Sequence, residues 1–280
     1  VDLVEYLSKR FDRHSMGARP NTFAKGVIPV RWRSLLSAFL AAGVLTVVPA
    51  VPAAAANTCE PFGAITMGKY WLNNNLWGKD SGSGWQCLWD TYQGSTVGWG
   101  TSWGWSGQQN QVKSYTSSVL GWHWGWKTSG HELPVRLNAG RDIYTDWRYR
   151  VSGGGTMNVA YDLWLHDMPN PDWQNNPTDE VMIWLYRAGG AGPLGTLQGS
   201  VSIGGATWDL YRGNIGWNVF SFVRRSNTSS VTLHLQDFLG NLVGRGWVAS
   251  TKYLSSIEAG TEVFTGNGQL DTDAYTADIR

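Results

Sequence analysis

Glu180 and Glu262 are the residues of this 280-residue chain best suited by type and setting to do chemistry. Each sits in an alternating, β-type string, Thr178-Asp179-Glu180-Val181-Met182-Ile183-Trp184 and Gly260-Thr261-Glu262-Val263-Phe264-Thr265-Gly266. An ionised carboxylate buried among aromatic and β-branched neighbours is costly unless paired, so two such sites point to carboxyls kept for a reaction. A pair of this kind can let one protonated carboxyl give its proton to a departing oxygen while the ionised partner attacks carbon or activates water. That is the requirement for cutting a β-glycosidic bond. Alternation by itself leaves a second reading open, in which both are rim glutamates on wet strand faces.

Tryptophan bears on the same question. The chain has eighteen, and a pyranose ring presents apolar C–H faces that stack on an indole while its hydroxyls bond to Asn, Gln and backbone groups. About half of them are expected simply to fill a core. Trp122, Trp124 and Trp126 alternate onto one face and suit either a sugar platform or a core layer.

Strands must position these side chains. Runs rich in Val, Ile, Tyr, Trp and Thr recur between Gly and Asn clusters at 64–72, 111–117, 146–151, 157–165, 181–186, 200–203 and 219–223, the spacing of many antiparallel strands. Gly153-Gly154-Gly155 predicts a hairpin loop, and Gly204-Gly205 a tight one. Period two puts Glu180, Met182 and Trp184 on one face and Val181, Ile183 and Leu185 on the other. In 158–166 it puts Asp162 opposite the more apolar set, and it lets Glu262 and Phe264 share a face. Leu235, Phe238, Leu239 and Leu242, at i, i+3, i+4 and i+7, predict one amphipathic helix from Val231 to Val243 on the outer face of a sheet. The expected fold is all-β, a two-sheet jelly-roll sandwich with a curved substrate cleft and one short amphipathic helix.

The first 56 residues read as an N-terminal extension and secretory signal peptide. Arg31 and Arg33 precede an apolar run from Leu35 to Val48, and Ala54-Ala55-Ala56 offers a small-residue cleavage site. The run is too short for a span, so the mature form is expected to be secreted and extracellular, off the membrane, starting near Asn57. Residues 57–280 then form a single catalytic domain, with fifteen Lys/Arg against eighteen Asp/Glu, a net charge of −3. A slightly acidic domain without a basic patch has no electrostatic footprint for nucleic acid. Cys59 and Cys87 are the only cysteines, and export makes one disulfide the default. His123, His131, His166 and His234 are scattered, so no metal and no cofactor are expected. Asn227-Thr228-Ser229 is a sequon by letter and is read as a surface turn.

At this point the chain resembles the secreted endo-β-1,4-glucanases of glycoside hydrolase family 12. The landmarks are Asn74-Asn75-Leu76-Trp77-Gly78, Trp105-Ser106-Gly107 leading to Val112-Lys113-Ser114-Tyr115, Val159-Ala160-Tyr161-Asp162-Leu163, Glu180-Val181-Met182-Ile183-Trp184, Gly192-Pro193-Leu194-Gly195 and Gly260-Thr261-Glu262-Val263-Phe264-Thr265-Gly266. They run in order through nearly all of residues 57–280.

The resemblance implies a retaining double displacement with Glu180 as nucleophile, Glu262 as general acid/base, and Asp162 hydrogen-bonding the nucleophile. It implies that Trp77 stacks a sugar, that Asn75 hydrogen-bonds beside it, that Met182 and Phe264 line the cleft floor, and that Cys59 and Cys87 form a disulfide stapling the first strands. Val263 stands where the family more often has proline, which restores a backbone donor and is expected to change the pH profile before the reaction. The implied partner is a β-glucan polysaccharide, of cellulose or mixed-linkage type, and the implied state a monomer. Xyloglucan-specific hydrolysis and a non-catalytic carbohydrate-binding β-sandwich are the alternatives.

Overall fold

The computed structural model describes residues 56–124 and 126–280; apart from Ala56, the expected leader lies outside them. The strands are β1 (Asn57–Thr58), β2 (Ala64–Met67), β3 (Tyr70–Asn73), β4 (Gly82–Gln93), β5 (Val97–Gly107), β6 (Ser114–His123), β7 (Trp126–Lys127) and β8 (Val135–Arg136). There follow β9 (Ile143–Gly153), β10 (Thr156–His166), β11 (Asp179–Ala188), β12 (Thr196–Ile203), β13 (Ala206–Asn214), β14 (Asn218–Arg224), β15 (Ser230–His234) and β16 (Tyr253–Ile279), with helix α1 (Leu235–Gly244) before β16. They build a β-jelly-roll sandwich.

One layer runs β2-β3-β6-β16-β10-β11-β14-β13-β12 and the other β1-β4-β5-β16-β9-β15. β16 is long enough to serve both. Its residues 253–265 pair with β6 and β10, and from Gly266 it pairs with β5. Gly266 has φ +100°, and a Cβ there would lie 2.4 Å from Gly155 Cα, so glycine permits the change of layer.

The core fills the space between the layers in strict alternation. Val159, Tyr161, Leu163 and Leu165 of β10 and Val181, Ile183 and Leu185 of β11 are all fully buried there, against Trp99, Trp103 and Trp147 of the other layer. The opposite faces of β10 and β11 carry Ala160, Asp162, Trp164, Glu180, Met182 and Trp184, as period two predicts. Val263 also faces the core and continues β16 without a break.

Several local expectations need correction. Gly153–Gly155 is not a hairpin, because β9 and β10 belong to different layers and the glycines turn the chain across the sandwich. The helix starts at Leu235, not Val231; residues 230–234 pair with β9, since β-branched Val231 and Thr232 complete an edge there. The first strand run is two strands, β2 and β3, joined through Gly68 at φ +59°, and the 111–117 run becomes a strand only from Ser114. Gly204-Gly205 does close the tight β12–β13 hairpin. Leu235, Phe238, Leu239 and Leu242 of α1 are all buried, with Phe238 edge-on to Trp208 and Phe222. That packing sets α1 on the core side of the sheet, opposite the cleft, not on the outer face expected from its amphipathic pattern.

Cys59 and Cys87 form a disulfide that ties the chain near β1 to β4. Among the described residues no helix is long and apolar enough to cross a membrane, and no three His, Cys, Asp or Glu side chains cluster to hold a metal ion.

Candidate active site

The concave face of the first layer holds a cleft of about 430 Å³ lined by every sequence-predicted site residue: Glu180, Glu262, Asp162, Asn75, Trp77, Met182 and Phe264. β-Strand pairing sets their arrangement. Asn158 of β10 clamps Glu262 at both ends, its Nδ2 donating to Oε2 at 2.5 Å and its Oδ1 accepting from the Glu262 N–H at 3.0 Å. Glu180 lies opposite Trp164 in β10 and receives the indole N–H of Trp217 on Oε2 at 2.8 Å. Each glutamate therefore has one neutral donor and no cation.

That environment governs their proton affinity. Burial pushes Glu180 up to about 8, assisted by the negative charges of Glu262 and Glu258 and opposed by the Trp217 hydrogen bond. Burial likewise raises Glu262 to about 7 against the Asn158 hydrogen bond. The two interact, so the cluster as a whole keeps a proton into the neutral range. An acid that retains its proton near neutrality beside a second carboxylate is what proton donation to a leaving oxygen needs.

Asp162 departs from expectation in one respect. It lies in register with Met182 on one side and Glu258 on the other, two residues along from the Trp164–Glu180 pair, and its Oδ1 is buried with no hydrogen-bond partner. The expected hydrogen bond to Glu180 is not formed. Burial, then Glu180, Glu262 and Glu258, raise its proton affinity well above the usual carboxylate range. Burial among three glutamates thus biases Asp162 towards its protonated form.

Glu258 is a third glutamate of the floor that the sequence reading passed over. Its Oε1 accepts from Trp164 Nε1 at 3.0 Å and meets His123 Nδ1 at 2.8 Å, while Oε2 accepts from Ser117 at 3.1 Å. The signal was present: Glu258, Gly260 and Glu262 alternate with Ile257, Ala259 and Thr261, so Glu258 shares the face of Glu262. Asn158 is likewise on the Asp162 face. Trp217 precedes β14 in a loop, where no periodicity could mark it.

The sugar-side residues are fixed from below. Tyr115 N–H donates to Asn75 O at 2.8 Å and Gly78 N–H to Lys113 O at 3.0 Å, pinning the 75–78 loop to β6. Beneath it, buried Gln86 donates to Thr101 and Thr116 and accepts from Trp105 and Ser114, and Thr116 donates to Asn74. Asn75 Oδ1 stays buried without a partner on the cleft wall. The 122–126 tryptophans divide three ways: Trp122 is 2 % exposed, Trp124 lines the cleft against Trp164 at 4.8 Å, and Trp126 is 50 % exposed and stacks on Trp71. They form neither one platform nor one core layer.

Comparison with known proteins places this geometry. Residues 68–280 match the family model described as Glycosyl hydrolase family 12. The chain is 37 % identical to Endoglucanase S of Pectobacterium parmentieri, over 76 % of this chain and 82 % of that protein. It is also 37 % identical to a xyloglucan-specific endo-beta-1,4-glucanase A of Aspergillus aculeatus, over 79 % and 90 %. Among solved structures, the family 12 xyloglucanase of Bacillus licheniformis superposes with a TM-score of 0.75 at 40 % identity, covering 80 % of this chain and all of that one. Endoglucanase 3 of Trichoderma harzianum does so with a TM-score of 0.73 at 34 % identity, over 82 % of this chain and all of its own.

Proposed function

Since the chain belongs to glycosyl hydrolase family 12, we propose that this glycoside hydrolase is a retaining endo-β-1,4-glucanase acting on cellulose-type and mixed-linkage glucans. The observation that carries the reading is the pair of carboxyls on one concave sheet face, each held by a single neutral donor and each with raised proton affinity. The two carboxyls titrate as one coupled cluster, and the reacting form is the one in which its proton sits on Glu262 and Glu180 is ionised, although Glu180 has the higher proton affinity of the two. Glu262 then gives its proton to the glycosidic oxygen as that bond breaks, and Glu180 forms the bond to the anomeric carbon. Glu262, now a carboxylate, takes a proton from water, whose oxygen displaces Glu180 with a second inversion. Asp162 acts on Glu180 electrostatically, the ionisation of either opposing that of the other. Trp77 supports a pyranose face, the unpartnered Asn75 Oδ1 takes a sugar hydroxyl, and Met182 and Phe264 form the floor.

The further assignments of this reading are that the signal peptide within residues 1–56 directs export and is removed together with the extension before it, and that the mature domain works as a secreted monomer. N-terminal sequencing of exported protein is expected to start near Asn57. For the reaction, NMR of the newly formed anomer is the test: the β-anomer is expected first, and first formation of the α-anomer overturns retention. Azide is expected to rescue Glu180→Ala and Glu262→Ala on an activated aryl glycoside, with inverted glycosyl azide from the first and retained from the second.

A second reading, xyloglucan as the preferred polymer, is favoured by the 40 % identity to the Bacillus licheniformis xyloglucanase. The cleft rim at Gly192-Pro193 also offers small residues beside which a branch can be seated. Turnover on barley β-glucan, xyloglucan, xylan and carboxymethyl cellulose separates the two readings. Release of no reducing ends from any of them leaves only a carbohydrate-binding sandwich.

A further inference from the structure

We propose that the outer face of the second layer, on the side of the molecule away from the cleft, is a separate binding surface for a β-glucan chain, with Trp85 and Trp89 of β4 as its stacking platforms. Gln86 and Leu88 point inward and are fully buried, so alternation turns Trp85 and Trp89 outward, Trp85 being 52 % exposed. A half-exposed indole on a sheet surface is ordinary when alone. Here the sequence has made room for both rings in the same way. Trp85 lies in register with Gly104 of β5 and Trp89 with Gly100. A Cβ at Gly104 would come within 2.9 Å of the Trp85 indole nitrogen, and one at Gly100 within 2.4 Å of the Trp89 ring. Glycine at both places lets each indole lie against the β5 backbone, Trp85 exposed and Trp89 half-buried beside β1, with Cys87 and its disulfide to Cys59 between them on the same strand face.

The surroundings specify the ligand. In the next strand Asn267 is in register with Gly104, Gln269 with Ser102 and Asp271 with Gly100, and beyond them Ser152 and Arg150 of β9 pair with Gln269 and Asp271. Gln269 donates to Asp271 at 2.8 Å. Flat apolar rings fringed by amide, hydroxyl and carboxylate groups match a pyranose, whose apolar faces stack while equatorial hydroxyls reach sideways. The four-residue separation puts the rings about 13 Å apart along the strand, so they engage different sugar units of one extended chain. Arg150 is paired with Asp273, which leaves the patch without the free positive charge an anionic surface would need. The choice of a β-glucan rests on the functional reading above; the platform does not. Such a face would hold the enzyme on its polymer while the cleft works on a neighbouring chain.

Retardation in native gels containing barley β-glucan, and depletion onto swollen cellulose, test the surface when run in a Glu180→Gln background that spares the polymer. Adding Trp85→Ala and Trp89→Ala together is expected to weaken retention about tenfold. With Glu180 restored, kcat/KM on a short chromogenic cello-oligosaccharide should stay within about twofold. Trp85→Tyr should keep most of the retention, and Trp85→Ala, truncating an exposed ring, gives a folded single variant if the double one is unstable. Unchanged retention in Trp85→Ala and in the double variant overturns the proposal, as does a parallel loss of retention, short-substrate turnover and melting temperature. A parent protein that neither cleaves β-glucan nor is retarded by it counts instead against the functional reading.

Discussion

β11 carries two buried faces made from one strand, and they differ in what burial has done to them. On one side Val181, Ile183 and Leu185 are fully buried against the other layer. On the other, Glu180, Met182 and Trp184 are 8 %, 4 % and 2 % exposed. Little of either set is exposed. On the core face that burial is stabilising, because each apolar side chain exchanges water for close contacts. On the cleft face the same burial raises Glu180 and, across β10 and β16, Asp162, Glu258 and Glu262 gather with no Lys or Arg among the described lining residues, His123 beside Glu258 being the basic side chain there. Burial alone therefore does not tell a packing residue from a reacting one; the missing counter-charge does.

The largest separation between the faces is expected in turnover. Glu180→Gln keeps the shape of the cleft and removes the attacking carboxylate, so kcat should fall on the order of ten-thousandfold or more, the scale seen when one member of a catalytic unit is removed. Steady-state kinetics on barley β-glucan measure it, and a variant retaining a tenth of wild-type turnover would end the assignment. Asp162→Asn comes next, at about tenfold to a thousandfold in kcat with substrate affinity nearly kept. Its amide retains a donor but not the titrating proton, so the acidic limb of the pH–rate profile should move. Superimposable profiles with equal maxima would reduce Asp162 to packing.

On the core face the expected effect is smaller and of another kind. Ile183→Ala, one residue from Met182, should cost about 2–5 kcal/mol of stability by leaving a cavity between the layers. The pH dependence of kcat in the folded fraction should be unchanged. Urea unfolding read beside the pH–rate profile checks both. A displaced pH profile in Ile183→Ala would mean that the two faces do not act independently.

How much of this was legible beforehand follows the same division. Period two put each of Glu180, Asp162 and Glu262 on a face of its own strand, because strand alternation is a local property, while their meeting in one cleft was implied only by the family resemblance. It missed Glu258, on the same face as Glu262, because only Glu262 stood in a recognisable motif. The clamp from Asn158 depended on which strand lies beside β16, and the indole of Trp217 on where a loop returns, and neither is written locally. Gly153–Gly155 misled for a related reason: its composition is that of a hairpin, but β9 and β10 have bulky core faces claimed by different layers. The start of α1 was lost to β9, which recruited residues 230–234 as an edge strand. The missing hydrogen bond between Asp162 and Glu180 is a matter of register, where one step of pairing decides which side chains are opposite.

The smallest expected effect concerns stability and bears most directly on the contrast. Glu180 is held at about 8 in the folded protein, whereas an unfolded chain releases the same proton near 4.5. Between those values the folded state binds more protons than the unfolded one, so stability falls as pH rises. Below about pH 4 the carboxyl is protonated in both states and no penalty exists. The penalty accumulates from there and is complete once pH passes about 8; Glu262, raised to about 7, adds to it with the same sign. Glu180→Gln removes the titrating group without removing its bulk. Its melting temperature should thus lie close to that of the wild type near pH 4 and exceed it increasingly as pH rises to 8. Ile183→Ala should lower the melting temperature by a nearly constant amount at both pH values, since a cavity does not titrate. Calorimetry of the three proteins at pH 4, 6 and 8 decides the matter. A Glu180→Gln difference independent of pH, or one that shrinks as pH rises, would show that the cleft carboxyl costs the fold nothing and that the two faces of β11 differ in chemistry alone.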